Sequence, residues 1–353
     1  MSTMERMKLY KELCDLGAVS GHEKSVRNFM KEEIKKYTDN IITDNLGSVF
    51  GVLDGDGPVV MVCGHMDEVG GMVVEVNGDG ILKMINIGGI NPEVLVSQNV
   101  LVHGKTGKVV RGVIGAIPPH IGGNQTTIDD LLVDIGASSK DEALSWGVNV
   151  GCQITFVNDF YVMEDGNKVV SKAFDDRLGC GVALEVLKEA KNLKHPNKLY
   201  IGGTVQEEVG LRGAQTASNM VAPDLFITVD VSPVGDFLGK PNMGKLGEGF
   251  LIRYYDPRCI MNPEITKYFE DIAKKNNIKY QYFKSNGGTD AAQAQYAGSR
   301  GALSTTVGMP GRYIHSSATV IDVRDLESVK AMVLAIITSF DKETFERIKN
   351  GEY

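Results

Sequence analysis

Several features that mark other protein classes are missing from this sequence of 353 residues. No apolar run reaches the roughly 18 residues of a membrane span, so we predict no transmembrane segment. No basic cluster is present, and the net charge of -8 argues against nucleic acid as a partner. The N-terminus, Met-Ser-Thr-Met-Glu-Arg, lacks an apolar signal core, so we expect no export.

Cysteine is also scarce, and its distribution excludes one kind of metal site. The five cysteines are scattered and lack CxxC spacing, which argues against a structural zinc site. Isolated thiols in odd number are typical of a reducing compartment, so we expect a cytoplasmic protein.

The pattern of apolar residues changes twice along the chain. Helical stripes and short strands alternate at first, which favours an α/β layer. From about residue 71 to 166 helical periodicity almost vanishes and short β-rich runs are separated by turns, as in a small barrel or sandwich. We therefore predict a discontinuous α/β domain, residues 1–70 plus 167–353, with a β-rich domain inserted at 71–166.

A His-x-Asp pair follows the first strongly apolar strand, predicted over Val59–Cys63. His65 and Asp67 are two residues apart, so along a strand they would face the same side. Ligand sites of open α/β sheets form at the carboxyl ends of strands. The pair is therefore either a metal ligand with an orienting partner or a hydrogen-bonded pair in a turn.

Two pairs of adjacent carboxylates follow further along the chain. Asp175 and Asp176 directly precede a predicted helix, where one aspartate would serve as an N-cap but two exceed that need. Glu207 and Glu208 end another apolar strand, where they repel each other unless a proton or cation compensates. The alternative for the glutamates is a solvated turn.

Two further candidates are weak alone. Asp230 ends a core strand, and His315 follows a Gly-Met-Pro-Gly turn. Together with the earlier motifs they give imidazole and carboxylate ligands that suit zinc, cobalt or manganese. Two metals sharing a bridging carboxylate would use this number of ligands well.

These five motifs, in this order, resemble the dinuclear metallo-aminopeptidases of the tetrahedral (TET) type. The motifs are His65-x-Asp67, Asp175-Asp176-Arg-x-Gly, Glu207-Glu208-x-Gly, Asp230 and His315-Ser-Ser. The family includes glutamyl and deblocking aminopeptidases, and the resemblance covers essentially the whole chain. It implies an α/β fold of the zinc-exopeptidase kind, in which helices flank a mixed central sheet and a small β-barrel is inserted.

The resemblance also implies a role for each site residue. His65 and Asp230 would bind one of two divalent ions, Glu208 and His315 the other, and Asp175 would bridge them. The resemblance leaves open whether the bond between Asp175 and Asp176 is cis or trans. Glu207 would be the general base, and Asp67 would hydrogen-bond His65. Zinc or cobalt is the expected metal, and manganese also fits these ligands.

The implied reaction is removal of N-terminal residues from short peptides. A preference for acidic first residues would need a cationic pocket, for which Arg253 and Arg258 are candidates and Lys240 a weaker one. Gly288 and Thr289 would line the same cleft, because a Gly pair permits close backbone approach. The alternatives are surface arginines and a leucyl, broad-specificity or deblocking enzyme.

The family's members build hollow dodecamers, so we expect a homo-oligomer, a tetrahedral dodecamer, that uses the inserted domain for contact. Two functions of other classes compete with this interpretation. An endoglucanase-type glycoside hydrolase also needs two carboxylates, but these flank a sugar bond and adjacent residues are poorly placed to do so. A non-catalytic metal-binding scaffold leaves Glu207 unexplained.

Overall fold

The structure is a computed structural model that describes residues 3–123, 127–239 and 243–353. In these ranges the chain forms a mixed β-sheet flanked by helices, a closed β-barrel and a small third sheet. The predicted fold, a mixed central sheet with a small β-barrel inserted in sequence, is confirmed.

Helices occur near both ends of the chain and between the strands of the central sheet. In the described ranges the α-helices are α1 (Thr3–Asp15), α2 (Lys24–Lys35), α3 (Lys140–Ser145), α4 (Phe174–Ala190), α5 (Arg212–Val221), α6 (Pro263–Lys275), α7 (Ala291–Ala294), α8 (Val323–Ser339) and α9 (Lys342–Asn350). None of these helices is long and apolar enough to cross a membrane.

The strands divide among the three sheets. They are β1 (Ile41–Thr43), β2 (Val49–Leu53), β3 (Val59–His65), β4 (Gly70–Val76), β5 (Leu82–Ile87), β6 (Asn99–His103), β7 (Val109–Ala116), β8 (Leu131–Asp134), β9 (Gln153–Phe156), β10 (Tyr161–Val162), β11 (Lys168–Ser171), β12 (Lys198–Thr204), β13 (Leu225–Pro233), β14 (Phe250–Tyr255), β15 (Tyr280–Lys284), β16 (Leu303–Gly311) and β17 (Thr319–Asp322). The central sheet has the order β1-β2-β12-β3-β13-β16-β14-β15.

Four parallel strands form the middle of the central sheet. β3 lies between β12 and β13, β13 also pairs with β16, and all three pairings are parallel. The largely apolar sequences of β3 and of the first half of β13 suit strands that are buried on both faces. Because the strands are parallel, their carboxyl ends meet at one edge of the sheet, and β3 runs to His65 because that residue still pairs with Thr204.

The barrel, of order β4-β5-β8-β7-β6-β9, has a hydrophobic core of its own. Val73, Leu82 and Ile154 are among the residues buried in it. Its strands run from Gly70 to Phe156, whereas β10, which also falls within the predicted insertion, pairs with β11. The exact division into domains stays a prediction.

Two glycines bring the start of α4 close to the end of β3. A Cβ atom on Gly64 would lie 2.4 Å from the carbonyl carbon of Gly179, which no side chain could tolerate without a backbone shift. The contact places Asp175 and Asp176, at the start of α4, beside His65.

A buried ion network joins the ends of these elements. Arg177 is fully buried and donates to the carbonyls of Leu13 and Met66 and to the carboxylate of Glu68. Lys172 donates to the same carboxylate.

The five cysteines, all in described parts of the chain, are free and buried.

Candidate metal centre

The side chains predicted as metal ligands lie together at the carboxyl edge of the parallel strands. They are His65 from β3, Asp175 from the start of α4, Glu208 from the turn after β12, Asp230 from β13 and His315 from the segment after β16, and the predicted base Glu207 lies beside them in the same turn as Glu208. This edge is where open α/β sheets bind ligands. Because the ligands come from five separate segments, only the tertiary fold assembles them.

Asp175 lies between the two histidines. Its Oδ1 atom is 3.1 Å from Nε2 of His65, and its Oδ2 atom is 3.4 Å from Nε2 of His315. Each oxygen therefore faces a different imidazole, which is the arrangement that a bridging carboxylate requires. The peptide bond between Asp175 and Asp176 is cis, and both residues have non-helical backbone angles.

The donor set fits divalent ions. His65, Glu207 and Asp230 offer atoms within 4.8 Å of one another, as do His65, Asp175 and Glu208. Nε2 of His315 is 3.5 Å from Oε1 of Glu208, a buried atom with no hydrogen-bond partner among the described residues. A buried carboxylate oxygen needs a partner, and a cation would supply it.

Hydrogen bonds leave Nε2 of both histidines facing the site. Nδ1 of His65 donates to the backbone carbonyl of Asp67 at 3.1 Å, and Nδ1 of His315 donates to the carbonyl of Gly89 at 2.8 Å. Such bonds fix the tautomer of a metal-binding histidine. Gly89 follows β5, so the polypeptide of the barrel reaches the centre.

Asp67 contacts the centre in a broader way than the sequence predicted. Its carboxylate lies 3.5 Å from Nδ1 of His65, and it accepts hydrogen bonds from the Ser20 hydroxyl and from the backbone amides of Glu207 and Glu208. Asp67 therefore orients the two glutamates as well as the histidine.

The carboxylates of the centre perturb one another. Burial, followed by repulsion from Asp175, raises the pKa of Glu208 to about 8 and that of Asp230 to about 7. Burial works against ionisation of Asp175 too, but its hydrogen bonds with His315 and His65 outweigh burial and lower its pKa. Burial opposes a charge on His315, yet Asp175 and Glu208 raise its pKa to about 10.

A cavity of about 760 Å³ opens beside these ligands. Both predicted arginines and Gly288 line it, but they differ in their contacts. Arg253 is buried, lies 3.4 Å from Asp256 and donates to Gly287 and Ser232. Arg258 is exposed and forms no ion pair with any described residue, so its charge is available to a ligand.

Thr289 and Lys240 are the two other residues predicted for this cleft. The buried Thr289 shares a hydrogen bond with Thr306 and is not among the residues that line the cavity. Lys240 lies outside the described residues.

Sequence reasoning did not find several contributors to the centre. They are Ser20 and Glu23, whose side chains reach the site from the segment before α2, and Gly89. Glu23 could have been noticed because it occupies the N-cap position of α2, where helices prefer Ser, Thr, Asp or Asn. The carbonyl of Gly89 has no sequence signal, because any residue offers one.

Comparison with known proteins gives a consistent result. The sequence profile described as M42 glutamyl aminopeptidase matches residues 47–332. A glutamyl aminopeptidase of Lactococcus lactis subsp. cremoris (strain MG1363) is 37% identical over 356 residues, covering 98% of this chain and 100% of that protein.

Solved structures agree with the sequence relatives. A TET aminopeptidase from the marine sediment archaeon Thaumarchaeota archaeon SCGC AB-539-E09 superposes with a TM-score of 0.94 at 35% identity, covering 99% of this chain and 100% of that chain. The TET1 peptidase of Pyrococcus horikoshii, which can assemble into a tetrahedron or a large octahedral shell, gives 0.86 at 30% identity, with 96% and 100% covered.

The raised pKa values predict how the stability of metal-free protein depends on pH. Glu208 and Asp230 keep their protons longer when folded, so their contribution is complete below the unfolded pKa values and is lost as pH rises through about 7 to 8. The raised pKa of His315 acts in the same direction up to about 10. The urea midpoint of chelator-treated protein should therefore fall between about pH 5.5 and about pH 8.5, and added zinc should reduce the fall.

A matched variant isolates the contribution of the centre. Burial raises the pKa of Asp325, outside the centre, to about 7, and this group adds to the fall in every sample. Glu208→Gln should show a smaller fall than the parent protein, because one raised carboxyl is gone. A midpoint that rises with pH in the chelated parent protein would contradict the assignment.

Proposed function

This chain belongs to the M42 glutamyl aminopeptidase family, and from that membership we propose that it removes first residues from short peptides with two divalent ions in the centre described above. The chain is thus a metal-dependent aminopeptidase, which is the activity that the resemblance of its motifs implied. An endoglucanase-type hydrolase and a non-catalytic scaffold are not favoured. The observation that carries the two-ion proposal is the position of Asp175, which turns one oxygen towards each histidine.

We assign the ligands as follows. His65 and Asp230 would hold one ion, Glu208 and His315 the other, and Asp175 would bind both. Zinc, cobalt and manganese all accept this mixture of imidazole and carboxylate. Two such ions would supply an activated water molecule and a Lewis acid for the scissile carbonyl group.

Glu207 is the residue that we assign to proton transfer. Its side chain is 11% exposed, and its Oε2 atom lies 3.9 Å from Nε2 of His65. Burial raises the pKa of this carboxyl, so its proton affinity is greater than that of an exposed glutamate. Glu207 would take the proton of the attacking water and return it to the leaving amine.

The contacts of the two arginines support a preference for acidic first residues. Asp256 neutralises the buried Arg253, whereas the exposed Arg258 lines the cavity without an ion pair to any described residue. A glutamate or aspartate side chain would pair with Arg258, and a lysine side chain would be repelled. Gly288 leaves room for this arrangement, because a Cβ atom there would lie 3.0 Å from Cδ of Arg258.

We further propose a tetrahedral dodecamer in the cytoplasm. The outer surface of the barrel exposes the apolar side chains of Val74, Ile85, Val109 and Val113, which contact between subunits would cover. This supports the inserted domain, residues 71–166, as the contact between subunits, and free cysteines suit a reducing compartment. A monomeric mass in light scattering would contradict the assembly.

Glu207→Gln tests the proposed base. The amide cannot accept the proton, so kcat on aminoacyl anilides should fall by about 10²–10⁴ while bound metal, measured by elemental analysis, stays at the parent level. Glu32→Gln, an exposed change on α2, is the control and should leave kcat unaltered. Full activity in Glu207→Gln would remove Glu207 from the reaction.

Arg258→Ala tests the proposed specificity. A charge-assisted hydrogen bond contributes about 1.5–3 kcal/mol, so the ratio of kcat/KM for glutamyl over leucyl anilide should fall roughly 10- to 100-fold. Arg300→Ala, another exposed arginine, should leave the ratio unchanged. A parent enzyme that prefers leucyl anilide would rule out the acidic preference.

A further inference from the structure

Three consecutive backbone amides in the turn after β12 donate to buried carboxylates. The amide of Gln206 donates to Oε1 of Glu23 at 3.1 Å, and those of Glu207 and Glu208 donate to Asp67 at 3.0 and 3.2 Å. Gln206 has a φ of 55°, in the left-handed region that residues with side chains seldom adopt. Carboxylates from two distant segments thus hold this turn in a conformation that its own residues do not favour.

Local structure does not account for Glu23. It occupies the N-cap position of α2, yet its side chain makes no capping hydrogen bond. Its Oε1 atom instead accepts from the amides of Gly21, at 2.8 Å, and Gln206. The carboxylate is buried, and burial and the nearby Asp67 raise its pKa. Burying its charge is therefore unfavourable unless hydrogen bonds such as those from Gly21 and Gln206 offset the cost.

We propose that Glu23 is a positioning residue for Glu207, holding the Gln206 amide so that the carboxylate of the next residue points into the centre. This inference rests on the proposed function, in which Glu207 is the base. Without the bond from Glu23, Gln206 can leave the left-handed region, and the peptide group that precedes Glu207 then rotates. A displacement of about 1 Å at a reacting group can lower a rate about 10²-fold.

The test compares substitutions that keep or remove the acceptor oxygen. Glu23→Ala leaves the amides of Gly21 and Gln206 unpaired, and kcat on a glutamyl anilide should fall about 10- to 100-fold with KM changed less than about threefold. Glu23→Gln retains an amide oxygen in the same place, so kcat should stay within about threefold of the parent value. Bound metal, measured by elemental analysis, should be equal in all three proteins.

Asp325→Ala is the matched control. Asp325 is also a buried carboxylate that accepts two backbone amides, those of Gly247 and Gly249, both at 2.7 Å. Its loss should lower Tm about as much as Glu23→Ala does, without lowering kcat. An equal loss of kcat in Asp325→Ala would show that the effect of Glu23 is general destabilisation and would overturn the inference.

Other outcomes are equally decisive. If Glu23→Ala kept the parent value of kcat, the turn would not need this hydrogen bond. If Glu23→Ala and Glu23→Gln lost kcat equally, the negative charge would matter and not the acceptor oxygen. Either result would overturn the inference. If Glu23→Ala does not fold, Glu23→Asp replaces it, because the shorter side chain withdraws the acceptor and should also lower kcat. Activity retained in Glu207→Gln would overturn the proposed base, whereas activity lost there but kept in Glu23→Ala would overturn only the present inference.

Discussion

Repulsion among buried carboxylates is the constraint on which the rest of this structure depends. Asp175, Glu207, Glu208 and Asp230 converge at the carboxyl ends of β3 and β12, beside β13, which continues past Asp230 to Pro233. Burial together with mutual repulsion raises the pKa of Glu208 and Asp230. Acids brought together in this way destabilise the fold unless protons or cations offset their charge. Asp175 departs from this pattern because both imidazoles face it, and it is the group that we propose joins two ions.

The surrounding chain holds these acids from several directions. Asp176 accepts from the amides of His65 and Gly179, and Asp67 accepts from the turn that carries the two glutamates. His315, with a positive φ, is oriented by the carbonyl of Gly89. Both histidines and the turn that carries the two glutamates are therefore held by groups from other segments, which is the support that a preorganised site needs. The arrangement also joins the barrel segment to the centre.

The chemistry of the centre could be predicted from sequence, because five ordered motifs together resemble a known family and because parallel strands end at one edge. The groups that hold the centre in place could not be predicted in this way. In the sequence, Glu23 indicates only the start of a helix. The sequence also cannot show which of the two arginines is neutralised, because only the fold places Asp256 beside Arg253. Helix α5 escaped prediction because no capping side chain marks its start, which follows Leu211. Strand β3 proved longer than predicted because Thr204 pairs with His65.

The central claim, that Asp175 joins two metal ions in one centre, is tested most directly by counting ions per chain. Elemental analysis of protein dialysed against zinc or cobalt should give two ions for the parent chain. Asp175→Ala should bind one or none, because both ions lose a shared ligand. A single ion in the parent protein, or two ions retained after Asp175→Ala, would contradict the account.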